Sequence, residues 1–310
     1  MPAREIVSLL ERVPCNVCGA DDYTVVYPAQ YDHAKYEDLT QIFKSSGDER
    51  LIDQLVRCNR CSLHYLNPRL RQDVILEGYS SGSDEAFVSQ NAARESTFRG
   101  CLAAVEASSG IRRGRLLDVG AAGGAFLHVA RQRGWEVAGC EPNRWLCQWA
   151  KAHYGFDLVP GTLFEMHLPA RSYDVVTLWD VLEHTTDPQT VLRECARVLK
   201  PGGVVAVNYP DIGSLAARLM GQRWVFLLSV HLYYYTPETM ARALRECGFE
   251  PFYSRAHWQT LELGYILIRM EAYVGTVARL LRAVVRFLHM ERWQIPYWVG
   301  QTLVVARTRS

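Results

Sequence analysis

The sequence predicts an α/β protein with a mostly parallel, helix-covered sheet and a small metal-stapled unit in front of it. Three observations carry this. Residues 115–141, RLLDVGAAGGAFLHVARQRGWEVAGCE, run from an apolar stretch through a glycine-rich turn and a helical pattern to a second apolar stretch, which is one βαβ unit. Two Cys-x-x-Cys pairs stand near the N-terminus. At 310 residues, 49% hydrophobic and 22% charged, the chain has room for one large domain and a smaller unit.

The βαβ unit has a ligand site built into it. Leu116, Leu117 and Val119 suit a strand buried on both faces, and Gly120, Gly123 and Gly124 permit a tight turn whose backbone can approach a ligand. The helix that follows aims its N-terminal amides at that ligand and packs Phe126, Leu127, Val129 and Ala130 on the sheet. Val137 to Cys140 give the next strand. Glu141 at its carboxyl end stands where an acid in such folds accepts hydrogen bonds from the two ribose hydroxyls of a nucleoside. Asp118, two residues before the first glycine, opposes a dinucleotide, because a buried carboxylate would face the pyrophosphate. It asks for a ligand with a positive group, and S-adenosylmethionine carries both an ammonium and a sulfonium.

At these residues the sequence resembles the class I S-adenosylmethionine-dependent methyltransferases, whose first motif runs acid-x-Gly-x-Gly-x-Gly. The resemblance implies a Rossmann-like, mostly parallel seven-stranded sheet. It also implies a cofactor held by Asp118, Gly120, Ala122, Gly124 and Glu141, with Ala122 replacing the middle glycine and leaving less room beside the methionine part. Pro142 is expected against the adenosine. In the family an acid often stands at the position of Thr162, which offers the adenine only its hydroxyl.

A second signature is Ser172-Tyr-Asp-Val-Val-Thr-Leu-Trp-Asp-Val-Leu-Glu-His184, followed by Asp187-Pro188. WDVLEH resembles the fourth-strand motif of the small-molecule group of these enzymes, which implies Trp179 and Asp180 beside the cofactor and His184 toward the acceptor. PDIGSLAARLMGQRW and HLYYYTPETM look like the substrate side of the same group. His184 and His231 are therefore the candidate proton acceptors, with ordinary imidazole pKa values near neutrality. The expected activity is methyl transfer to a small molecule, in first place a hydroxyl of a sugar, lipid-linked or natural-product acceptor. A rival reading is a zinc-ribbon module that binds RNA or protein on a non-catalytic methyltransferase-like fold. A net charge of +1 and the lack of a basic aromatic platform speak against RNA, and no nucleic-acid partner is expected.

Cys15-Asn-Val-Cys18-Gly19 and Cys58-Asn-Arg-Cys61 have the spacing of a four-thiolate zinc site, closed by protein on all sides and therefore structural. The interval between the pairs exceeds the roughly 15 to 20 residues of the usual pattern, so strands or an insertion must fill 19–57. The other five cysteines, Cys101, Cys140, Cys147, Cys195 and Cys247, are expected as core filler in a reducing compartment. With no signal-like apolar core and no membrane-length apolar run, the expected location is the cytoplasm. Zinc ribbons also precede methyltransferases of deoxysugar and natural-product pathways, but those related to deoxysugar C-methylation carry a longer C-terminal domain, which argues against carbon methylation of a sugar and leaves O-, N- and other C-methylation open.

The remaining elements follow from pattern and punctuation. The division is a ribbon over 1–68, a helical connector over 69–110 and the methyltransferase domain over 111–310, with Tyr79 and Phe87 of the connector read as packing residues rather than a cofactor lid. A helix spans Asn143 to Tyr154, ended by Gly155, and a third strand Phe156 to Val159. Helix 189–199 precedes a strand at Val204 to Val207; Thr236 caps a helix with Pro237 at its first position. His231 and Tyr233 to Tyr235 are not all expected in the core, since successive residues of an extended stretch face opposite ways. The end of the chain reads as a strand from Pro251 to Trp258, a long helix over 271–289 and a last strand from Thr302 to Ala306. In that helix Arg279, Arg282 and Arg286 lie opposite Val277, Leu281, Val284 and Leu288, which suits packing on the domain first and association with a membrane surface second.

Overall fold

The computed structural model describes residues 9–30 and 50–309. The ribbon takes β1 (Leu10–Glu11), β2 (Tyr23–Tyr27), β3 (Leu55–Cys58), β4 (His64–Leu66) and β5 (Arg69–Leu70). The middle of the long interval between the cysteine pairs, 31–49, lies outside the described residues. Helices α1 (Gln72–Ser81), α2 (Glu85–Ser89) and α3 (Asn91–Ser109) lead to the main sheet, and Gly110 ends α3 in the left-handed region at φ +79°.

The main sheet begins with β6 (Arg115–Val119), α4 (Ala125–Gln132), β7 (Glu136–Glu141), α5 (Arg144–Tyr154) and β8 (Val159–Pro160). It continues through β9 (Tyr173–Trp179), α6 (Pro188–Val198) and β10 (Leu199–Pro210). β11 (Tyr233–Tyr234) leaves it to join the ribbon, and α7 (Pro237–Glu246), capped by Thr236, leads to β12 (Phe249–Ala256). A two-stranded piece of β13 (Gln259–Glu262) and β14 (Gln294–Tyr297) carries α8 (Leu263–Val274) and α9 (Thr276–Phe287) before β15 (Gln301–Thr308) closes the sheet. The order is β12-β15-β10-β9-β6-β7-β8. Strands β10 to β8 run parallel, and β15 is antiparallel to both β10 and β12. The expected Rossmann-like sheet of seven strands is present.

Three expectations are corrected. The third strand is only Val159–Pro160, because Pro160 has no amide to extend the ladder and β8 is an edge. The long C-terminal helix is two, broken at Gly275, whose φ of +47° no helix continues through. Its apolar side is not packed on the domain: Val277, Leu281, Val284 and Leu288 are all exposed.

The ribbon and the sheet share one apolar core, which runs from Cys15, Cys58 and Tyr65 through Leu178 and Leu192 to Tyr233 and Phe249. β11 adds to the ribbon sheet by pairing Tyr233 with Tyr65 and Tyr234 with His64. That strand is covered on both faces, so His231, Tyr233, Tyr234 and Tyr235 are all buried after all. Its polar ends are satisfied in place: Tyr234 donates to the Leu228 carbonyl at 2.8 Å, and Arg69 donates to the Tyr233 hydroxyl at 2.7 Å. Among the described residues no helix is long and apolar enough to cross a membrane.

Candidate active site

The four cysteines of the two pairs come together although 40 residues separate Cys18 from Cys58. Their sulfurs all lie within 4.8 Å of one another, Cys15 to Cys61 at 3.3 Å and Cys18 to Cys58 at 3.5 Å. Thiolates about 2.3 Å from a tetrahedral zinc stand at about that separation from each other, so the set fits the metal. Asn16, inside the first knuckle, donates to the Asp187 carboxylate at 3.0 Å, and the Gln189 amide donates to the Val17 carbonyl at 3.1 Å. The zinc knuckle thus sits on the first turn of α6, three residues past His184.

The glycine turn lies at the carboxyl end of β6, as its sequence requires. Gly120 has φ +70° and Gly124 φ +79°; a Cβ on Gly120 would stand 2.7 Å from a Val181 methyl. Ala122 also has a positive φ, +46°, strained for a residue with a Cβ. Asp118 is buried and accepts from the Thr177 hydroxyl at 2.6 Å; burial pushes its carboxyl up to about 8, which the Thr177 bond partly opposes. Glu141 closes the opposite side, its two oxygens accepting from the Ala122 and Asn143 amides at 2.8 Å each. Burial raises it to about 7. Asn143 caps α5 at the Leu146 amide, 2.9 Å, and donates to the carbonyls of Tyr79 and Gly82, so the connector helix α1 is tied against the ribose end of the loop. Half-buried Pro142 lies between these two residues. The half-buried Thr162 is engaged locally: its hydroxyl donates to Glu165 within its own capped turn.

Asp180 has φ +54° and lies beyond β9, where Oδ1 accepts from the Asn208 and Gln301 amides at 2.6 and 2.8 Å. Burial raises its carboxyl to about 6. Trp179 turns under the helices, 4.9 Å from the Phe126 ring and 5.6 Å from Phe98. Around this edge, buried polar atoms lack partners among the described residues: both amide atoms of Asn91, Arg94 Nε, Trp179 Nε1 and Asn208 Oδ1. Buried groups left this way cost about 1 to 3 kcal/mol each, and such a cluster marks a place where a polar ligand completes the bonding. Asn91 faces the glycine loop itself, its amide nitrogen 3.4 Å from where a Cβ on Gly123 would lie. The loop, the two acids and these open donors and acceptors fit S-adenosylmethionine.

His184 and His231, 47 positions apart in the chain, meet with ring centroids 4.7 Å apart. His184 Nδ1 is 3.0 Å from the Val230 carbonyl and His231 Nδ1 is 2.8 Å from the Phe226 carbonyl. A carbonyl only accepts, so both Nδ1 atoms carry the proton and both Nε2 atoms hold free lone pairs. Burial lowers His184 to about 4 and His231 well below its usual value, with the neighbouring ring adding to the latter. Both rings are neutral at pH 7, a correction to the near-neutral pKa expected. Glu183 completes the group, its carboxyl oxygens without a hydrogen-bond partner among the described residues and burial raising it far above the carboxylate range.

Thr177, Glu183, Asn91, Arg94, Asn208 and Gln301 were not singled out from the sequence. Glu183 had a signal, standing beside His184 in the motif; Asn208 interrupts an apolar strand near its carboxyl end, where ligands of such sheets bind.

The family described as methyltransferase domain matches residues 93–253, just over half of the chain. The ubiquinone biosynthesis O-methyltransferase of Bordetella avium (strain 197N) is 30% identical over 162 residues, 47% of this chain and 66% of that protein. That of Citrobacter koseri is 39% identical over 106 residues, 32% of this chain and 44% of that protein. The chain therefore spans less than two thirds of the length of these curated relatives. Among solved structures, a chain of the complex between the Haloferax volcanii Trm112 methyltransferase activator and a methyltransferase is similar with a TM-score of 0.50 at 18% identity, covering 73% of this chain and 96% of that one. This last likeness is one of fold. Strand order, glycine loop and sequence match agree, and the chain belongs to the family of methyltransferase domains.

Proposed function

We propose that the protein transfers a methyl group from S-adenosylmethionine to a hydroxyl of a small-molecule acceptor, with 1–68 as a structural zinc ribbon, 69–110 as a connector and 111–310 as the catalytic domain. One observation carries this reading: the acid-flanked glycine loop and the neutral histidine pair lie on the same sheet edge, joined through Val181, which packs on Gly120. When bound, S-adenosylmethionine supplies a methyl group on a cationic sulfur. Glu141 receives the ribose hydroxyls, Asp118 faces the positive methionine end, and Gly120, Ala122 and Gly124 bring the backbone close. Pro142 lines the adenosine. Trp179 and Asp180 flank the site, Asp180 being held in place by Asn208 and Gln301. Thr162 contributes by capping the turn after β8, its hydroxyl being held by Glu165.

An acceptor hydroxyl must lose a proton as its oxygen takes the methyl group. His184 or His231 accepts it at Nε2, and desolvation together with the adjacent ring keeps the pair to one added proton. The names of the relatives, O-methyltransferases of ubiquinone biosynthesis, support a hydroxyl over nitrogen or carbon. The test is incubation with labelled cofactor and a panel of phenols, sugars and lipid-linked hydroxyl compounds. Gain of one labelled methyl on oxygen is expected, and methylation confined to nitrogen or carbon contradicts the reading.

The raised pKa of Asp118 gives a second expected outcome. At pH 7 its carboxyl, near about 8, is largely protonated, and a cation bound beside it draws it back to the carboxylate. Cofactor binding should release a proton, and affinity should rise up to about tenfold per pH unit on approaching that pKa from below. Calorimetry in buffers of different ionisation enthalpy measures the release; proton uptake would count against the placement of Asp118.

A further inference from the structure

The hairpin of α8 and α9 stands on the β13–β14 piece inserted between β12 and β15, and it closes on itself through Leu267 and fully buried Ala278. Among the described residues nothing covers its outer stripe. Val277, Leu280, Leu281, Val284, Phe287 and Leu288 recur at helical spacing on one side of α9 and are 46–82% exposed, Phe287 the most. Scattered apolar residues on a surface are ordinary, but a contiguous stripe of six large ones marks an interaction site. Arg279, Arg282 and Arg286 occupy the opposite side. Over 263–293 five arginines stand against two glutamates, so this segment carries +3 while the whole chain nets only +1. Trp258 and Trp293, one at each foot of the hairpin, are 59% and 56% exposed.

We propose that this hairpin docks the protein on an anionic lipid bilayer, lying in the headgroup region with the α9 stripe inward. An apolar stripe backed by a cationic side and aromatic anchors is the pattern of a helix in the membrane interface, and the local positive surplus selects anionic headgroups. Each helix has 12 residues. At about 1.5 Å per residue neither can cross a hydrocarbon layer about 30 Å thick, so the hairpin rests on the surface. Its foot reaches the candidate site: the Gln259 amide in β13 lies 3.5 Å from the Asp180 carboxylate, and the Tyr297 hydroxyl in β14 donates to Gln259 at 2.5 Å. Docking therefore places that site beside a bilayer, which favours an amphiphilic acceptor; this last clause rests on the methyl-transfer reading, whereas docking does not.

Cosedimentation of the full chain with vesicles of phosphatidylcholine, alone or with phosphatidylglycerol, tests it. Binding at least about tenfold stronger to the anionic vesicles, and weakening with salt, is expected. Leu280→Asp/Phe287→Asp should reduce it at least about tenfold, and Arg279→Glu/Arg286→Glu should abolish the anionic preference. All four side chains are exposed, and unchanged cofactor affinity by calorimetry shows that fold and cofactor site are intact in each variant. Equal binding to both vesicles, or none to either, overturns the proposal. If absence of vesicle binding accompanies a dimer that Phe287→Asp dissolves, the stripe is an interface between copies of this chain instead.

Discussion

Replacing His184 or His231 by Ala is expected to lower turnover about 100- to 10,000-fold, the usual loss when a general base is removed, with cofactor affinity nearly unchanged. The two rings meet edge to face, and neither touches Glu141 or Asp118 by any hydrogen bond among the described residues. The acid limb of the rate profile is informative as well. A base works deprotonated, so activity falls as pH drops through its pKa, and burial puts that of His184 near about 4 rather than 6.5. Turnover should stay level through neutral pH and fall only in the acid range. The same shift affects stability with a definite sign. The unfolded histidine takes up its proton at about 6.5 and the folded one only near about 4. The contribution is complete above the first value and is lost as pH falls toward the second. If both single variants keep near-normal turnover, positioning alone drives the transfer.

Removing zinc is expected to abolish turnover rather than merely loosen the N-terminus. Structural zinc contributes apparent binding energies of about 10 kcal/mol or more, comparable with the whole stability of a domain. A ribbon with a core of its own would leave the remainder folded without it. The shared core changes that expectation: β11, which carries the chain on from His231, is a strand of the ribbon sheet, and Asn16 and Val17 of the knuckle hold the start of α6 just past His184. Chelation, or Cys58→Ser, should therefore disorganise the histidine pair. The cofactor loop packs with α3, α4 and α5 in a separate apolar cluster and should suffer less. Metal analysis paired with turnover and cofactor titration on the same sample decides this; full turnover in zinc-free protein contradicts it.

What could be read from the sequence was what neighbours in the chain decide. The βαβ unit, its glycine turn and the acids at 118 and 141 follow one another within one supersecondary element, and the two-residue spacing of each cysteine pair is self-contained. What could not be read depends on distant partners. Nothing local in HLYYYTPETM says that a ribbon strand 170 residues upstream will pair with Tyr234, so the burial of three successive tyrosines and a histidine is not expected of one strand. Asp180 gained Asn208 and Gln301 only because β10 and β15 lie side by side. Thr177 sits within an apolar run, where a hydroxyl reads as filler until Asp118 is found 2.6 Å away. The break at Gly275 was open to inspection, but the apolar periodicity continues through it and outweighed the glycine.

The central claim is that Asp118, the glycine loop and Glu141 hold S-adenosylmethionine, and calorimetric titration of the cofactor into the wild type, Glu141→Gln and Glu141→Ala tests it most directly. Binding of one cofactor per chain is expected. Glu141→Ala should weaken it by about 1.5 to 3 kcal/mol, the worth of hydrogen bonds to a charged group, or roughly 10- to 150-fold. Glu141→Gln, which keeps the shape and one acceptor oxygen, should fall between the two. Affinity in Glu141→Ala equal to that of the wild type, in protein whose circular dichroism is unchanged, would contradict the account.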